Sequence, residues 1–517
     1  MRKLQPFLFV LIPLAFLLTV SCSKKGTESA PANTSPKEIS LHLISSFSNH
    51  LGYPSSAEIV SFDPESKRLF VVNSVGNKLD ILDFSLPEKI RFIRSIDLKP
   101  YGIGINSVTV KNQLVAAAIE HPQTDKEGSV VFFDIEGNFL NKVQAGVLPD
   151  MIAFSPDGSS ILVANEGEPS DDYSIDPEGS ISIIDVSGNI KSLSQAKVVT
   201  LDFRSYNDSL QLLRSQGVRI FGPGASVAQD LEPEYISISE DSKKAWVTLQ
   251  ENNAVAVVDI RTKKITSIRP LGTRNYTIEK ESCTLQGMHQ PDGISSFSSN
   301  GKTYIVTANE GDPRMYEGFK ELQKLENPAY SLDKDKFPKS PEIKENKNLG
   351  KLGVSSSTGD IDGDGDFDEI HCYGSRSFSI WDEEFKMIYD SGNGFENVAC
   401  KEGEYCIFNE RYAKIAKEEK LDLRGPEPES VVTGKIAGKN YAFITLERYG
   451  GIMAYNVDDP ARAYFVDYAN SNISSERREE SRPEGIIFIP SDESPNGKHL
   501  IVVANEGTST VDVYEVR

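Results

Sequence analysis

The sequence predicts an all-β, seven-bladed β-propeller, and two observations carry this expectation. One pattern occurs seven times from about residue 57 onward: an acidic residue, an apolar run, a turn, a second apolar run near Asn-Glu, and a third run ending in Asp. A fourth strand-like run follows most copies, and four short strands per repeat are typical of a propeller blade. The second run is often apolar at consecutive positions, as in a strand buried on both faces.

The repeats predict where the blades and the insertions lie. Blades are expected at residues 57–98, 105–146, 149–203, 232–270, 290–391, 427–468 and 482–517. Long insertions are expected at about 204–230, 312–375 and 392–426, with short helices near 208–215 and 410–420. The seventh repeat lacks a fourth strand. We therefore expect the apolar run at 39–45 to supply that strand and close the ring, which gives one domain over residues 39–517.

The N-terminus resembles a bacterial lipoprotein signal. A basic start precedes an apolar stretch at 7–18 that is too short to span a bilayer and that leads to Cys22. Thr19 stands where an aliphatic residue is usual, so an ordinary secretory signal is the alternative. We expect residues 1–21 to be removed and Cys22 to carry the lipid. Residues 22–38 have no large apolar side chain and are expected to form a flexible tether.

The composition restricts the possible partners. The chain has 55 basic and 76 acidic residues and a formal net charge of −21, which excludes nucleic acid as a partner and favours cations. We expect a monomer in the bacterial cell envelope, periplasmic or surface-exposed, that touches the membrane only through its lipid. Four further cysteines could pair in any of three ways or remain thiols: Cys283, Cys372, Cys400 and Cys406.

One acidic loop predicts a calcium site. Residues 360–369 alternate carboxylates with small residues, and Gly365 follows the third aspartate. Such a loop directs hard oxygen ligands at one point, as Ca²⁺ requires, but it is not an EF-hand because His371 stands at the twelfth position. A solvated acidic turn is the alternative. The predicted ligands are Asp360, Asp362, Asp364, Asp366 and Asp368.

A second set of acids recurs at two points of every repeat. The starts of first strands and the ends of second strands meet at one end of a propeller, so these acids should line one mouth of the central channel. They could hold a second divalent metal, or their Asn-Glu-Gly segments could be turns with positive φ at Gly167, Gly311 and Gly507. The predicted mouth acids are Glu58, Asp150, Glu166, Glu234, Glu251, Asp292, Glu310, Glu429, Glu447, Glu484 and Glu506, with Glu120 in the equivalent place of the second repeat.

Several motifs resemble the choice-of-anchor I domain family. They are the segments at 217–224, 229–235, 249–254, 308–312, 360–369 and 375–382. The resemblance covers nearly all of residues 45–517. It implies an exported propeller that is tethered to the cell envelope, and it transfers no catalytic residue.

The sequence predicts a binding protein more strongly than an enzyme. It contains neither a Gly-x-Ser-x-Gly elbow nor a phosphate-binding Gly-rich loop, and His289 is a lone histidine near the mouth. We expect a lipid-anchored, calcium-binding propeller that binds a protein, a glycan or a phosphorylated ligand. The alternative is a metal-dependent, alkaline-phosphatase-like phosphoesterase in which the mouth acids hold the metal and Arg314 or Arg448 steadies the phosphate.

Overall fold

The chain folds into eight β-sheets, seven with four strands and one with five, within the residues that the structure describes. A computed structural model describes residues 38–48, 56–278, 283–346, 349–399, 425–471 and 481–517. The four-stranded sheets are numbered 1 to 7 in the chain order of their repeats. In each sheet the strand that begins the repeat is called the first strand, and the strand paired with it is called the second strand. The five-stranded sheet is called the insertion sheet.

Sheets 1 to 4 are each built from four consecutive antiparallel strands. The first strand of the chain, β1 (Leu41–Ser48), belongs to sheet 7. Sheets 1 and 2 contain β2 (Ala57–Asp63), β3 (Arg68–Asn73), β4 (Lys78–Asp83), β5 (Arg91–Asp97), β6 (Ile105–Lys111), β7 (Leu114–Ile119), β8 (Glu127–Asp134) and β9 (Phe139–Val147). Sheets 3 and 4 contain β10 (Pro149–Phe154), β11 (Ser160–Asn165), β12 (Ser180–Asp185), β13 (Val198–Asp202), β14 (Pro233–Ile238), β15 (Lys244–Leu249), β16 (Ala254–Asp259) and β17 (Lys264–Pro270).

Sheet 5 is interrupted by the insertion sheet, whereas the described residues that separate sheets 5, 6 and 7 contain no further strand. The insertion sheet begins with β18 (Thr273–Ile278) and β19 (Cys283–Met288). Next come β20 (Ile294–Ser299) and β21 (Lys302–Ala308) of sheet 5, then β22 (Leu322–Lys324), β23 (Gly353–Ser355) and β24 (Ile370–Cys372) of the insertion sheet. Sheet 5 ends with β25 (Phe378–Trp381) and β26 (Met387–Asp390). Sheets 6 and 7 contain β27 (Pro428–Ile436), β28 (Lys439–Leu446), β29 (Ile452–Asn456), β30 (Tyr464–Ala469), β31 (Pro483–Ile489), β32 (His499–Asn505) and β33 (Thr510–Val516).

Helices are short and lie between strands. They are α1 (Leu210–Gln216), α2 (Val227–Asp230), α3 (Ser340–Glu345) and α4 (Gly394–Ala399). The helix expected near 208–215 corresponds to α1. The helix expected near 410–420, together with Cys22, Cys400 and Cys406, lies outside the described residues. Within the described residues, every helix is too short or too polar to cross a membrane.

Each sheet packs against the next through an apolar core, and the cores form a closed series. Phe70 of β3 packs toward sheet 2, whereas its neighbours Leu69 and Val71 pack toward sheet 7. Successive side chains of a strand point to opposite faces, so this arrangement buries both faces of the sheet. Further cores lie between sheets 2 and 3, 3 and 4, 4 and 5, 5 and 6, and 6 and 7. The sheets therefore surround a common axis, as in a β-propeller.

The N-terminal strand completes sheet 7, as its sequence predicted. β1 pairs antiparallel with β33 from Leu41 opposite Val516 to Ser48 opposite Thr510. Sheet 7 then meets sheet 1 through a close approach of their first strands. A Cβ on Gly485 would lie 2.6 Å from the Glu58 carbonyl oxygen, so only glycine fits without a shift.

All of the long connections lie at one end of the sheets, which we call the mouth end because the predicted mouth acids are there. First strands begin and second strands finish at this end. The connections 203–232, 309–377 and 391–427 all join strand termini at the mouth end. At the other end, the longest connection is 186–197. The strands that flank the predicted insertions therefore all have these termini at the same end of the sheets.

The insertion sheet was not predicted from the sequence. Residues 271–289 supply two of its strands, and the insertion at 312–375 supplies the other three. Its own core contains Tyr330, Leu325 and Val354 together with Cys283 and Cys372. Tyr330 stacks on Phe367 with ring centroids 4.0 Å apart. The sheet has an independent apolar core, and its short strands explain why the repeat pattern did not reveal it.

Replacing Gly485 by alanine tests the contact between sheets 7 and 1. We expect Gly485→Ala to lower the free energy of unfolding by about 1–3 kcal/mol, because the new methyl group collides with backbone. Gly188→Ala is the matched control, since a Cβ there meets nothing within 4 Å, and it should change stability by about 0.5 kcal/mol or less. Urea denaturation measures both values. Equal stability of the two variants would contradict the close approach.

Candidate functional site

Most first-strand acids lie at a β-bulge that recurs in five of the sheets. In sheets 1, 3, 4, 6 and 7 the pairing of the first strand shifts by one residue at the acid, for example between Pro149 and Ile152 around Asp150. Such a β-bulge redirects a side chain from its regular position. The bulges therefore turn acids away from the packed faces of the sheets.

In most repeats a proline stands directly before the first-strand acid, and in four sheets the residue before that proline has an unusual conformation. Leu148, Gln290, Glu427 and Arg482 have φ of 48°, 41°, 46° and 41°. Such left-handed positions cost about 1–3 kcal/mol each for residues other than glycine. Three of these residues accept a backbone hydrogen bond from a second-strand acid: Leu148 O from Glu166 N at 2.9 Å, Glu427 O from Glu447 N at 2.8 Å, and Arg482 O from Glu506 N at 2.8 Å. The bond brings the two acids of each repeat together.

The first-strand acids of six sheets interact around the channel mouth. The charges of successive members repel one another, and Glu506 completes the circle between the last acid and the first. None of the six has a lysine, arginine or histidine nitrogen within 4.0 Å among the described residues. In sheet 2 the equivalent position is Asn106, whose Nδ2 donates to the Pro149 carbonyl at 3.2 Å. The six acids are Glu58, Asp150, Glu234, Asp292, Glu429 and Glu484.

Burial and repulsion raise the pKa of these carboxyl groups. Removal from water is the largest cause at each, followed at Asp150 by the charge of Asp292. The pKa rises to about 7 at Glu58 and Asp150 and to about 8 at Glu484. At Glu234 burial, followed by the charges of Glu251 and Glu166, raises the pKa well above its usual range. The mouth therefore favours protons or cations near neutral pH.

Three of the first-strand acids interact directly. Against the effect of burial, side-chain hydrogen bonding with Glu429 lowers the pKa of Asp292 and of Glu484, whereas the interaction with Asp292 raises the pKa of Glu429. A hydrogen bond between two carboxyl groups requires that one of them keeps its proton. These residues come from sheets 5, 6 and 7, so the predicted convergence of acids from distant segments is found at this position.

The second-strand acids are balanced by arginines on part of the mouth. Arg448 Nε lies 2.6 Å from Glu427 and 3.8 Å from Glu447. Arg482 lies 3.8 Å from Glu447 and 3.5 Å from Glu506. Unlike the first-strand acids, these carboxylates have guanidinium partners.

A third arginine is buried under the loops of sheets 3 and 4. Arg314 is 2% exposed and lies 2.5 Å from Asp230 and 3.0 Å from Glu232. Its guanidinium carbon is 4.6 Å from the centre of the Phe221 ring. Arg314 comes from the insertion after β21, so the pattern of the repeats could not associate it with Asp230. Both arginines that were expected to steady a phosphate are thus held by carboxylates.

Additional acids at the mouth were missed by sequence analysis. They are Glu168, Asp230, Glu232, Asp312 and Glu427. One signal could have identified two of them, since Glu232 and Glu427 stand directly before the proline of the repeat. The alternative interpretation, in which the Asn-Glu-Gly segments are turns with positive φ at glycine, fits two of the three positions. Gly167 and Gly311 have φ of 70° and 89°, whereas Gly507 does not have a positive φ.

Two groups of three acids have ligand oxygens within 4.8 Å of one another in the described part of the chain. The first is Glu310, Glu427 and Glu447, all buried. Arg448 already contacts two of its members, so a bare divalent ion would have to displace a guanidinium there. This group does not fit a calcium site.

The second group lies in the acidic loop and consists of Asp360, Asp362 and Asp368. Asp364 and Asp366, although in the same loop, are not members of the group. Asp360 accepts hydrogen bonds from Gly363 N at 2.8 Å and Gly365 N at 3.1 Å, which folds the loop tightly. Hard oxygens on an exposed loop, with room for water ligands, suit Ca²⁺.

His289 has a structural position. It is fully buried, and its Nδ1 lies 2.9 Å from Ser375 Oγ in a hydrogen-bonded series that continues through Ser377 to Asp390. Burial lowers the pKa of His289 to about 4, so the ring is neutral. Its ring also packs edge-on against Trp381 at 5.4 Å between centroids. We assign it to the core of sheet 5.

The raised carboxyl pKa values predict how stability depends on pH. Between about pH 6.5 and pH 8 the folded protein binds more protons than the unfolded chain, so its stability falls as pH rises through this window. The thermal unfolding midpoint of chelator-treated protein should fall by about 3 °C or more over this range.

Two variants provide the comparison. Asp150→Asn should reduce the slope and raise the midpoint near pH 8, because it removes one repelling charge. Asp157→Asn, on an exposed turn at the other end of sheet 3, should leave the slope unchanged since hydrogen bonds lower the pKa of Asp157. A midpoint that rises with pH in the wild type would contradict the raised pKa values.

The chain is similar to several known proteins. The model of the choice-of-anchor I domain matches residues 58–460. Gigasin-3a from Magallana gigas is 28% identical over 197 residues, which cover 35% of this chain and 68% of that protein. Kuenenia stuttgartiensis hydrazine synthase superposes with a TM-score of 0.49 and 13% identity, covering 90% of this chain and 98% of that chain. The Neurospora crassa Pan2 WD40 domain superposes with a TM-score of 0.47 and 10% identity, covering 92% and 95%. Since the domain model matches most of its length, this chain belongs to the choice-of-anchor I domain family.

Proposed function

We propose that this chain is a lipid-anchored, seven-bladed β-propeller that binds a protein or glycan through its acidic mouth and holds Ca²⁺ in the loop at 360–369. Sheets 1 to 7 are the blades, and β1 closes the ring. The choice-of-anchor domain indicates an exported protein of the cell envelope, which supports a tethered binding module.

The observation that carries the proposal is the difference between the two ends of the ring. The unbalanced acids and all of the long connections lie at the mouth end. The N-terminal segment enters at the other end, where Glu38 forms an ion pair with Lys439 and accepts hydrogen bonds from Asn456 Nδ2 at 3.1 Å and Tyr464 Oη at 2.6 Å. The described chain therefore begins at the end of the ring opposite the mouth.

The geometry supports calcium in the acidic loop more than at the mouth. Desolvation and the charges of Asp364, Asp333 and Asp368 raise the pKa of Asp366. This crowding of negative charge in an exposed loop is relieved when a divalent cation binds. Because the loop joins β23 to β24, bound Ca²⁺ stabilises the insertion sheet at the mouth end.

The phosphoesterase alternative has less support. A phosphate needs cationic partners, but Arg314 and Arg448 are each held by two carboxylates. A phosphate at the mouth would also meet the charges of the first-strand acids. Ligand binding without covalent chemistry is the simpler use of this surface.

A biosensor experiment tests the proposed function. Purified full-length protein is captured in lipid-bilayer discs through its own anchor, and a cell-envelope extract is passed over it. The double variant Asp150→Asn and Glu484→Gln should reduce the retained mass at least about fivefold, since it removes two charges of the mouth. Cys22→Ala should fail to enter the discs.

The control changes charges at the other end of the ring. Asp157→Asn with Glu493→Gln removes two exposed carboxylates there and should retain as much material as the wild type. Equal retention by the mouth variant and the wild type would contradict a binding role for the mouth. Capture of Cys22→Ala in the discs would contradict the lipid anchor.

Two substitutions in the acidic loop, one inside and one outside the group of three acids, test calcium binding. Saturating Ca²⁺, at about 100 times its Kd, adds about 2.7 kcal/mol to stability through mass action. Asp362→Asn should abolish most of the resulting rise in unfolding midpoint, whereas Asp364→Asn, outside the group of three, should preserve it. Thermal denaturation with and without Ca²⁺ measures the difference. An equal loss in both variants would contradict a ligand set restricted to Asp360, Asp362 and Asp368.

A further inference from the structure

Part of the mouth contains acids that no basic side chain among the described residues contacts directly. We call Asp150, Glu166, Glu234, Glu251 and Asp292, from sheets 3, 4 and 5, the acid-only sector. Within the described chain no lysine, arginine or histidine nitrogen lies within 4.0 Å of these carboxylates. Their charges repel one another, with Glu234 acting on Asp150, Glu166, Glu251 and Asp292.

Two oxygens of the sector are buried without a partner. Glu234 and Glu251 are each 7% exposed. Glu234 Oε2 and Glu251 Oε2 are inaccessible to solvent and accept no hydrogen bond from the described residues. A buried carboxylate oxygen without a donor is costly, so this geometry points to a ligand that supplies one.

The other parts of the mouth indicate which ligand chemistry fits. Each of three guanidinium groups lies between two carboxylates there: Arg314 between Asp230 and Glu232, Arg448 between Glu427 and Glu447, and Arg482 between Glu447 and Glu506. Glu234 and Glu251 form a comparable pair in sheet 4. The charge of Arg314 acts on Glu251, but no guanidinium nitrogen lies within 4.0 Å of either carboxylate in the described chain. A ligand with N–H donors can occupy the place that a guanidinium occupies in the other three pairs.

A bare divalent ion fits the sector less well than an organic cation. Calcium ligands lie about 2.3–2.6 Å from the ion, which brings the oxygens of the ligand set close together. Among the described residues, neither group of three acids with oxygens within 4.8 Å includes a member of the acid-only sector. By this measure no three described acids of the sector form a preformed metal site, whereas a group with several N–H donors can bridge two carboxylates.

We propose that the acid-only sector binds an ammonium or guanidinium group of a ligand between Glu234 and Glu251. The inference rests on the proposed function and names the chemistry of the ligand at the mouth. The cation can belong to a lysine or arginine side chain of a polypeptide or to a free polyamine. Both sources offer N–H donors and positive charge to the two unpartnered oxygens.

Calorimetry with the full-length lipidated protein in detergent tests this inference. The probes are acetyl-Gly-Arg-Gly-amide, the same peptide with citrulline, which is a neutral analogue of arginine, and spermidine. The arginine peptide should bind at least about tenfold more tightly than the citrulline peptide, because only the former brings charge. Tighter binding of spermidine than of the arginine peptide would assign the site to free polyamines, and the reverse order to polypeptides; either order supports an organic cation.

Conservative variants locate the site. Glu234→Gln and Glu251→Gln keep the side-chain shape and should each weaken binding of the arginine peptide at least about tenfold. Glu493→Gln, exposed at the other end, should leave the affinity unchanged. Thermal unfolding checks that each variant is folded, and the citrulline comparison in the wild type does not depend on any variant.

Two results would overturn the inference: equal affinity for the arginine and citrulline peptides, or unchanged affinity in both folded glutamine variants. Competitive displacement of the arginine peptide by Ca²⁺ that depends on Glu234 would also overturn it, because the sector would then be a metal site. If neither the arginine peptide nor spermidine binds while envelope retention still depends on Asp150 and Glu484, only this inference fails. If retention is also independent of those acids, the proposed function fails with it.

Discussion

Electrostatic repulsion among carboxylates that face one channel mouth is the constraint on which the rest of this structure depends. An unpaired buried charge costs several kcal/mol, and a side chain free to move would turn toward water. Here the first strands cannot move, since apolar cores hold every sheet on both faces. The charge must therefore be balanced by protons, by arginines of the chain or by a ligand. Asp292, Glu429 and Glu484 are the example of balance by a proton. Arg314, Arg448 and Arg482 are the examples of balance by arginines, and the acid-only sector is the part for which we propose a ligand.

The fold tolerates this repulsion because its stability comes from elsewhere. The closed series of apolar cores and the pairing of β1 with β33 do not involve the acids. Strained pre-proline residues such as Leu148 and Glu427 add a local cost at the mouth. Strain and unbalanced charge are concentrated at the end where the long insertions lie, and such concentration is typical of functional sites.

The sequence predicted much of this because the acids and strands share one repeat. The boundaries of the four-stranded sheets, the role of the N-terminal strand and the convergence of acids from Glu58 to Glu506 all follow from its period. The insertion sheet and Arg314 do not, since an insertion has no period and the contact from Arg314 to Asp230 spans 84 residues. Spacing alone also did not reveal that, among the aspartates of the acidic loop, Asp360, Asp362 and Asp368 have oxygens within 4.8 Å of one another.

An atomic-resolution crystal structure of the chain tests the central claim most directly, because carboxyl bond lengths distinguish protonated from ionised groups. We expect Asp292, Glu429 and Glu484 to lie within hydrogen-bonding distance around the channel, with unequal carbon–oxygen bond lengths in Glu429. We also expect Glu234 and Glu251 to face the same mouth. First-strand acids that point to separate surface sites, each beside its own lysine or arginine, would contradict the account.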